Sequence, residues 1–288
     1  MNAVRQLRTT VKNAEIITTV AYVNCFWRTH QRRARPHGIP GTLAVTLTSY
    51  PPRYPTLALT LKSIMAQSVR PDRIYLWIAK DDLHLLPANV LELQHNGLLI
   101  RSCEDIRSYK KIIPALTLRG EDFLVTADDD VYYPRHWLRA FAQAYRPGCA
   151  EVLCGRARRI SVDERGRPVP YANWPIEDAP GGASRYLFPT GVGGVMYARD
   201  IFHVDVLRSD LFSSLCPTAD DVWLYWMAAL KGATFRKVGR LSRMVSWLDS
   251  QRVALYAVNY ESNDHQIEKM ICRYGFPSDV ASSPERVC

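Results

Sequence analysis

The sequence lacks the cysteine patterns that mark metal clusters and disulfide-rich secreted proteins. None of its seven cysteines forms a C-x-x-C pair, and none has the cysteine–histidine spacing of a zinc site. An odd, scattered set of cysteines is typical of free thiols in a reducing compartment. We therefore expect a cytoplasmic protein without structural zinc or a disulfide framework.

Long apolar runs and nucleic-acid motifs are also missing. The apolar stretch at residues 16–27 is interrupted by Thr18, Thr19 and Asn24 and is too short to span a bilayer. We find no cleavable signal peptide, internal repeat or low-complexity tract. Because no recognised nucleic-acid-binding motif is present, we predict no nucleic-acid partner.

The composition that remains is that of an ordinary globular protein with an uneven excess of basic residues. The chain has 288 residues, 47% of them hydrophobic, and a net charge of +9, which is enough material for a large core. Residues 1–40 resemble a basic appendage that either lies on an anionic membrane surface at the inner face or packs as an ordinary helix. Residues 41–288 then form one domain. The basic residues that flank the apolar stretch are Arg5, Arg8, Lys12, Arg28, Arg32, Arg33 and Arg35.

From residue 43 onward, short apolar runs alternate with helical patterns. The runs at 43–48, 74–78, 98–101 and 123–127 predict strands, and apolar residues at helical spacing after Pro55 predict a helix. This alternation predicts a parallel sheet with right-handed crossovers.

The second half of the chain is less regular. We predict a strand over residues 151–160, another at the end of the glycine-rich segment 188–197, a helix after residue 219, and a capped helix that begins at Asn263. Residues 170–185 are rich in proline and glycine, and form either a mobile loop over a site or a simple connection.

Three consecutive aspartates, Asp128 to Asp130, follow the strand predicted at 123–127. Because side chains alternate along an extended chain, Asp128 and Asp130 share one side. Ligands of open α/β sheets bind at the carboxyl ends of the strands, and a hard divalent cation takes oxygen ligands together with substrate phosphates. The run predicts a metal–diphosphate site, with a solvated acidic turn as the alternative.

The order of these motifs resembles that of GT-A glycosyltransferases and is most similar to glycosyltransferase family 2. The resemblance runs from about residue 43 to at least residue 230. It implies an α/β fold of the GT-A type, a Rossmann-like sandwich with a mostly parallel central sheet. It also implies a nucleotide-sugar donor, a divalent cation (Mn²⁺ or Mg²⁺), and an inverting transfer to a glycan or lipid-linked acceptor, as in surface polysaccharide synthesis. The matching segments are 45–49, 61–68, 71–75, 127–130, 191–194 and 219–221.

The resemblance assigns roles to the acidic residues. Asp130 corresponds to the metal ligand, and Asp128 to the aspartate that contacts the ribose or, through water, the metal. Asp129 takes either role if the register differs by one. Asp221 corresponds to the general base, but Asp220 replaces the usual glutamate, so either of the two is a candidate base.

Other residues are candidates for binding the donor. In the resembling enzymes the turn after the first strand contacts the nucleoside, and a glycine-rich segment lines the sugar pocket. Lys110 and Lys111 follow the third strand, where a cation could reach the donor phosphates, with a solvated face as the alternative. His265 is a candidate metal or phosphate ligand, with a solvated helix residue as the alternative. The implied nucleotide-sugar-binding residues are Thr48, Ser49, Tyr50, Arg53, Lys111, Asp128, Asp129, Gly193 and Gly194.

Two other functions are compatible with parts of this pattern. A nucleotidyltransferase also uses carboxylates and a divalent metal on a Rossmann-like sheet, but it usually carries an early glycine-rich signature where this chain has residues 48–53. A non-catalytic glycan- or nucleotide-binding protein on a degenerate GT-A domain is the other alternative. Retention of both acidic clusters argues against it.

Overall fold

The computed structural model describes residues 2–239, 244–247 and 259–277. Its strands are β1 (Arg35–Pro36), β2 (Leu43–Thr48), β3 (Val69–Arg70), β4 (Arg73–Ala79), β5 (Leu98–Cys103), β6 (Phe123–Ala127), β7 (Val131–Tyr132), β8 (Glu151–Cys154), β9 (Ala157–Arg159), β10 (Leu187–Pro189), β11 (Val195–Ala198), β12 (Thr234–Lys237) and β13 (Val245–Ser246). Its α-helices are α1 (Asn2–Arg32), α2 (Tyr54–Met65), α3 (Ala88–Leu91), α4 (Ile113–Thr117), α5 (Trp137–Ala144), α6 (Ser209–Leu215), α7 (Asp220–Leu230) and α8 (Asn259–Tyr274).

Seven strands form the central sheet in the order β12-β8-β11-β6-β2-β4-β5. All neighbouring pairs are parallel except those of β11, which runs antiparallel to β6 and to β8. Because β11 enters the sheet where β6 and β8 end, the segment before β11 joins the carboxyl ends of β2, β6, β8 and β12 at one edge. This edge is where an α/β sheet of this kind binds its ligands.

A hydrophobic core lies on each face of the sheet. On one face, α7 packs against Leu124, Val152 and Phe235. On the other face, α2 and α5 cover Val45, Leu76 and Val125. The buried strands therefore read as continuous apolar runs, which is why the bounds predicted for β2 and β6 are confirmed.

The second half of α1 packs on the domain. Ile16, Val23 and Trp27 lie on one side of the helix at helical spacing and are buried. The Lys62 ammonium of α2 donates to Asn24 Oδ1 over 2.7 Å, which ties the two helices together. The two flanks of this buried side are solvent-facing, with Ile17 62% exposed on one flank and Phe26 49% exposed on the other.

The boundary at residue 40 and the division of the chain into an appendage and one domain stay predictions. In the described part of the chain, no helix has the length and apolar character needed to cross a membrane.

Two predicted elements differ from the structure. The strand predicted over 151–160 is wrong as a single element, because the chain leaves the central sheet at Gly155 and β9 pairs instead with β10. The backbone N–H of Gly155 donates to the Gly194 carbonyl, which turns the chain at that point. The last helix begins at Asn259 rather than at Asn263, so Asn263 lies inside α8.

Residues 170–185 form a connection that is largely irregular but anchored. The Glu177 N–H donates to the Ala157 carbonyl, and the backbones of Ser184 and Phe235 exchange two hydrogen bonds. The second contact joins the end of this segment to β12.

Candidate active site

The three aspartates that follow β6 point to three different partners. Asp129 Oδ2 accepts a hydrogen bond of 2.5 Å from Ser49 Oγ at the end of β2. Asp130 Oδ2 accepts one of 2.6 Å from an Arg53 guanidinium nitrogen. Asp128 Oδ1 lies 3.9 Å from Lys111 Nζ. The structure thus brings together six residues that the sequence assigned to the donor and metal site.

Burial dominates the electrostatics of this turn. Burial raises the pKa of Asp129 to about 7, although the hydrogen bond from Ser49 opposes the shift. Burial also raises the pKa of Asp128, and the nearby Asp130 carboxylate adds to the increase while Lys111 opposes it. The repulsion between Asp128 and Asp130 is the kind that a bound cation relieves.

The backbone of this turn is held by residues that the sequence did not single out. The Asp128 N–H donates to the hydroxyl of the buried Tyr133 over 2.7 Å. Thr60 Oγ1 donates to the Asp129 carbonyl over 2.9 Å, and Trp247 N–H donates to the Asp130 carbonyl over 3.1 Å. Thr60 is one of two buried serine or threonine residues of α2, the other being Ser63.

Lys111 connects the two acidic clusters. Its Nζ lies 2.7 Å from Asp220 Oδ2 at the start of α7, besides the 3.9 Å contact with Asp128. The side chain is 10% exposed, and this burial alone would lower the pKa of the ammonium group. The carboxylates of Asp220, Asp128 and Asp221 outweigh burial and hold the Lys111 pKa above its ordinary value.

Asp221 has the properties of a group that exchanges a proton near neutral pH. Its Oδ2 accepts a hydrogen bond of 3.0 Å from the Gly191 N–H. Burial raises the pKa of Asp221 to about 7, the Asp220 charge adds to the increase, and Lys111 opposes it. A general base functions best when its pKa is close to the working pH.

Among the glycines before β11, Gly191 is the one that borders the carboxylates. A Cβ added there would lie 3.2 Å from Asp221 Oδ1, 3.2 Å from Lys111 Nζ and 3.7 Å from Asp128 Oδ1. Gly193 and Gly194, which the sequence assigned to donor binding, both have left-handed backbones, with φ of 96° and 86°.

The space around Gly194 explains why a glycine is needed there. A Cβ on Gly194 would come within 2.7 Å of the Trp137 ring, and Trp137 Nε1 donates to the Gly193 carbonyl over 2.6 Å. These two glycines therefore set the course of the backbone, whereas Gly191 lets the backbone approach the acidic side chains and Lys111 closely.

Gln266 of α8 holds the start of α7 and was missed by sequence reasoning. Its Oε1 accepts hydrogen bonds of 3.1 Å from the N–H groups of Thr218 and Ala219. Its Nε2 donates to Thr218 Oγ1 and to Ser262. The first N–H groups of a helix have no hydrogen-bond partners within the helix. Here the distant side chain of Gln266 accepts from two backbone N–H groups just before Asp220. No local signal identifies such a contact.

The remaining predicted residues, Thr48, Tyr50 and His265, have no described hydrogen bond or ion pair with the acidic residues or with Lys111. Thr48 Oγ1 donates to the Trp77 carbonyl over 2.8 Å, and Tyr50 is extended and partly exposed before the turn that carries Arg53. His265 is exposed on α8.

The donor set suits a cation that shares its ligands with a substrate. Within the described residues, no group of three or more His, Cys, Asp or Glu side chains is arranged to hold a metal ion. Asp128 and Asp130 offer carboxylate oxygens, and Mg²⁺-type sites commonly use one or two carboxylates with substrate phosphates and water. The residues therefore fit a cation held jointly with a diphosphate, whereas His265 joins no such cluster.

Comparison with known proteins places the fold. No protein-family model matches the sequence, and no curated protein matches it. The chain is similar to the mannosyltransferase PcManGT from Pyrobaculum calidifontis, solved with GDP-Man and Mn²⁺, with a TM-score of 0.51 and 13% identity over 96% of this chain and 77% of that one. The predicted GT-A fold is confirmed, and at this identity the similarity shows the fold alone.

Two weaker similarities carry no argument about function. Glucosyl-3-phosphoglycerate synthase from Mycobacterium tuberculosis, solved with Mn²⁺, UDP and glucosyl-3-phosphoglycerate, gives a TM-score of 0.46 at 12% identity, covering 82% of this chain and 81% of that one. 4-Diphosphocytidyl-2C-methyl-D-erythritol synthase from Anaerococcus prevotii gives a TM-score of 0.46 at 13% identity, covering 77% of this chain and 96% of that one.

Proposed function

We propose that the protein is a metal-dependent glycosyltransferase that moves a sugar from a nucleotide-sugar donor to a glycan or lipid-linked acceptor. The observation that carries this proposal is the position of Lys111 between Asp128 and Asp220. It brings a candidate diphosphate-binding turn and a candidate base into one site at the ligand-binding edge of a GT-A sheet.

The donor is proposed to bind across the carboxyl ends of β2 and β6. Asp128 and Asp130 would hold Mn²⁺ or Mg²⁺ jointly with the diphosphate, and the cation would neutralise charge on the departing nucleoside diphosphate. Arg53 and Lys111 supply two further positive charges beside the same carboxylates. Thr48, Ser49 and Tyr50, at the end of β2 and just after it, are proposed to contact the nucleoside.

Asp221 is proposed as the general base of a direct displacement. Its Oδ2 is held by the Gly191 N–H, so the other oxygen takes the proton of the acceptor hydroxyl. The acceptor oxygen then bonds to the anomeric carbon as the bond from that carbon to the diphosphate breaks, which inverts the configuration. Asp220 is engaged by Lys111, which favours Asp221 over Asp220 for this role.

We also propose that the exposed surface of α1 contacts an anionic membrane surface mainly through its arginines, as expected for a peripheral cytoplasmic enzyme of surface polysaccharide synthesis. Ile17 and Phe26 are exposed on this helix, and Arg28, Arg32 and Arg33 are exposed near its end. Apolar side chains combined with arginines are typical of helices that bind anionic lipid headgroups.

The test is thermal unfolding with a panel of nucleoside diphosphates, with and without Mn²⁺. A ligand of the folded state raises the melting temperature by mass action, so we expect one diphosphate to stabilise the protein only with the metal. Asp130→Asn should abolish the shift, and Asp221→Asn should retain it, because the base is not needed for donor binding.

Nucleoside triphosphates in the same panel test the alternative reaction. If a triphosphate stabilised the protein and every diphosphate did not, a nucleotidyltransferase would replace this proposal. If no nucleotide shifted the melting temperature of folded protein, a non-catalytic role would be favoured.

A further inference from the structure

Lys237, the last residue of β12, carries a buried ammonium group that has no carboxylate partner among the described residues. Lys237 is 8% exposed, and its described hydrogen bond is a long one, 3.5 Å from Nζ to the Asp178 carbonyl oxygen. Of the four other buried cations in the described residues, Lys110, Lys111 and Arg236 each pair with a carboxylate, and Arg158 donates to the Trp174 carbonyl over 2.6 Å. A buried charge is costly unless it is paired, so an anion is the expected partner of Lys237.

The sheet register places Lys237 on the same face as the proposed base. Lys237 is aligned with Cys154, Cys154 with Val195, and Val195 with Thr126. Aligned residues of neighbouring strands point to one face of a sheet, and Asp128 follows Thr126 by two residues. Lys237 and the acidic turn therefore share an edge and a face. The aligned positions Lys237 and Thr126 are three interstrand spacings apart, or about 14 Å at ~4.8 Å per spacing, and Asp128 lies two residues beyond Thr126.

The chain connects these two positions directly. Ser184 N–H donates to the Phe235 carbonyl, two residues before Lys237. After Ser184 the chain runs through β10 to Gly191, whose N–H donates to Asp221. The helix that carries Asp221 packs on Phe235 through the same hydrophobic core. The segment from Ser184 to Gly191 thus runs from the strand that carries Lys237 to the carboxylate of Asp221.

We propose that Lys237 binds an anionic group, a phosphate or a carboxylate, of the acceptor substrate. This inference rests on the proposed glycosyltransferase function. The donor diphosphate is not the anion in question, because it belongs beside Asp128, Arg53 and Lys111 at the other end of this distance. The acceptor class is therefore an anionic one, charged at a position remote from its reacting hydroxyl.

The first test uses inorganic phosphate and acetate as probes of the two anion types. Thermal unfolding is followed in each salt and in chloride at equal ionic strength, for the wild type, Lys237→Gln and the control Lys231→Gln, which alters an exposed lysine at the end of α7. General salt effects on stability act on all three proteins alike. We expect an extra stabilisation of the wild type and the control by one probe, with apparent affinity about tenfold or more weaker in Lys237→Gln, since charge-assisted hydrogen bonds are the stronger ones.

Two further variants identify the site. Lys237→Arg keeps the positive charge and should retain anion binding, which separates loss of the cation from loss of the fold. Lys111→Gln reports on the donor site. If phosphate binding were lost in Lys111→Gln and kept in Lys237→Gln, the anion would be a donor-site ligand and the proposal would be wrong.

Equal stabilisation of the wild type and Lys237→Gln, or none of either, would also overturn the proposal. Neither result would affect the nucleoside diphosphate test, in which Lys237→Gln should behave as the wild type. A failure of the anionic acceptor and a failure of the glycosyltransferase proposal can therefore be told apart.

Discussion

Lys111 Nζ lies 2.7 Å from Asp220 Oδ2 and 3.9 Å from Asp128 Oδ1, so one buried ammonium group is shared by carboxylates from two distant parts of the chain. The preceding residue, Lys110, pairs instead with Asp105, which is 63% exposed. Both lysines are buried, but the carboxylate partner of Lys110 is exposed whereas Asp220, the partner of Lys111, is buried. The two lysines therefore form a matched pair for mutation.

We expect Lys111→Gln to weaken both stability and donor binding. Breaking a buried ion pair by removing one partner costs about 3 kcal/mol or more, because the other charge stays buried without compensation. Lys110→Gln removes a pair whose carboxylate is exposed, and should cost less than about 1 kcal/mol. Denaturant unfolding with the nucleoside diphosphate titration checks both. If the two variants lowered stability and donor binding equally, Lys111 would not have the proposed role of bridging Asp128 and Asp220.

Asp221→Asn should remove activity while stabilising the protein at neutral and higher pH. The folded-state pKa of about 7 lies above the ordinary value of 3.8. Between these values the folded state binds more protons than the unfolded state, so the contribution of Asp221 to stability falls as pH rises through this range. Replacing it by asparagine should therefore raise the free energy of unfolding on the order of 1–3 kcal/mol at pH 8, and by little at pH 4.

The activity of the same variant identifies the base. Loss of the general base should lower kcat by roughly 10²-fold to 10⁴-fold, and the wild-type kcat/KM should rise with pH through about 7 as Asp221 loses its proton. Asp220→Asn is the companion variant. If it removed activity while Asp221→Asn did not, Asp220 would be the base.

Membrane binding through α1 is tested with vesicles that contain or lack phosphatidylserine. Each arginine near an anionic surface contributes about 1 kcal/mol, so Arg32→Gln with Arg33→Gln should weaken binding to anionic vesicles roughly 30-fold. Arg139→Gln with Arg146→Gln makes the same charge change at two exposed positions outside α1 and should have little effect. Sedimentation with vesicles measures the binding, and equal losses in both variants would point to nonspecific attraction.

The sequence predicted the elements of the sheet better than the contacts between them. β2 and β6 are continuous apolar runs because both their faces are buried. The strand predicted over 151–160 failed at Gly155, where the chain crosses from the central sheet to its pairing with β10. That pairing depends on residues more than twenty positions away and has no local signal.

The lack of a local signal for long-range contacts also explains which site residues the sequence predicted and which it missed. Asp130 and Asp221 stand in recognisable motifs, but the partners that orient such residues come from elsewhere. From the sequence, Lys110 and Lys111 cannot be told apart, and only the fold shows that Lys110 pairs with Asp105 while Lys111 pairs with Asp220. Gln266 looks like an ordinary residue of an amphipathic helix until that helix docks against the start of α7.

Gln266 provides the strictest test of how the acidic pair is positioned. Gln266→Leu leaves the buried N–H groups of Thr218 and Ala219 without acceptors, and each such loss costs about 1–3 kcal/mol. We expect a lower melting temperature. We also expect a fall in kcat with little change in the KM for the donor, because Asp221 moves while the aspartates after β6 stay in place.

The pH dependence separates positioning from a merely structural role. A shift of Asp221 away from Gly191 should move the midpoint of the kcat/KM profile from about 7, since its burial and its hydrogen bond both change. Gln266→Glu keeps the side-chain oxygen that accepts from Thr218 and Ala219 and should restore part of kcat. Glu268→Gln, at an exposed position on the same helix, should leave both unchanged. A lower melting temperature with an unaltered pH profile and unaltered kcat would show that Gln266 supports the fold and does not position the base.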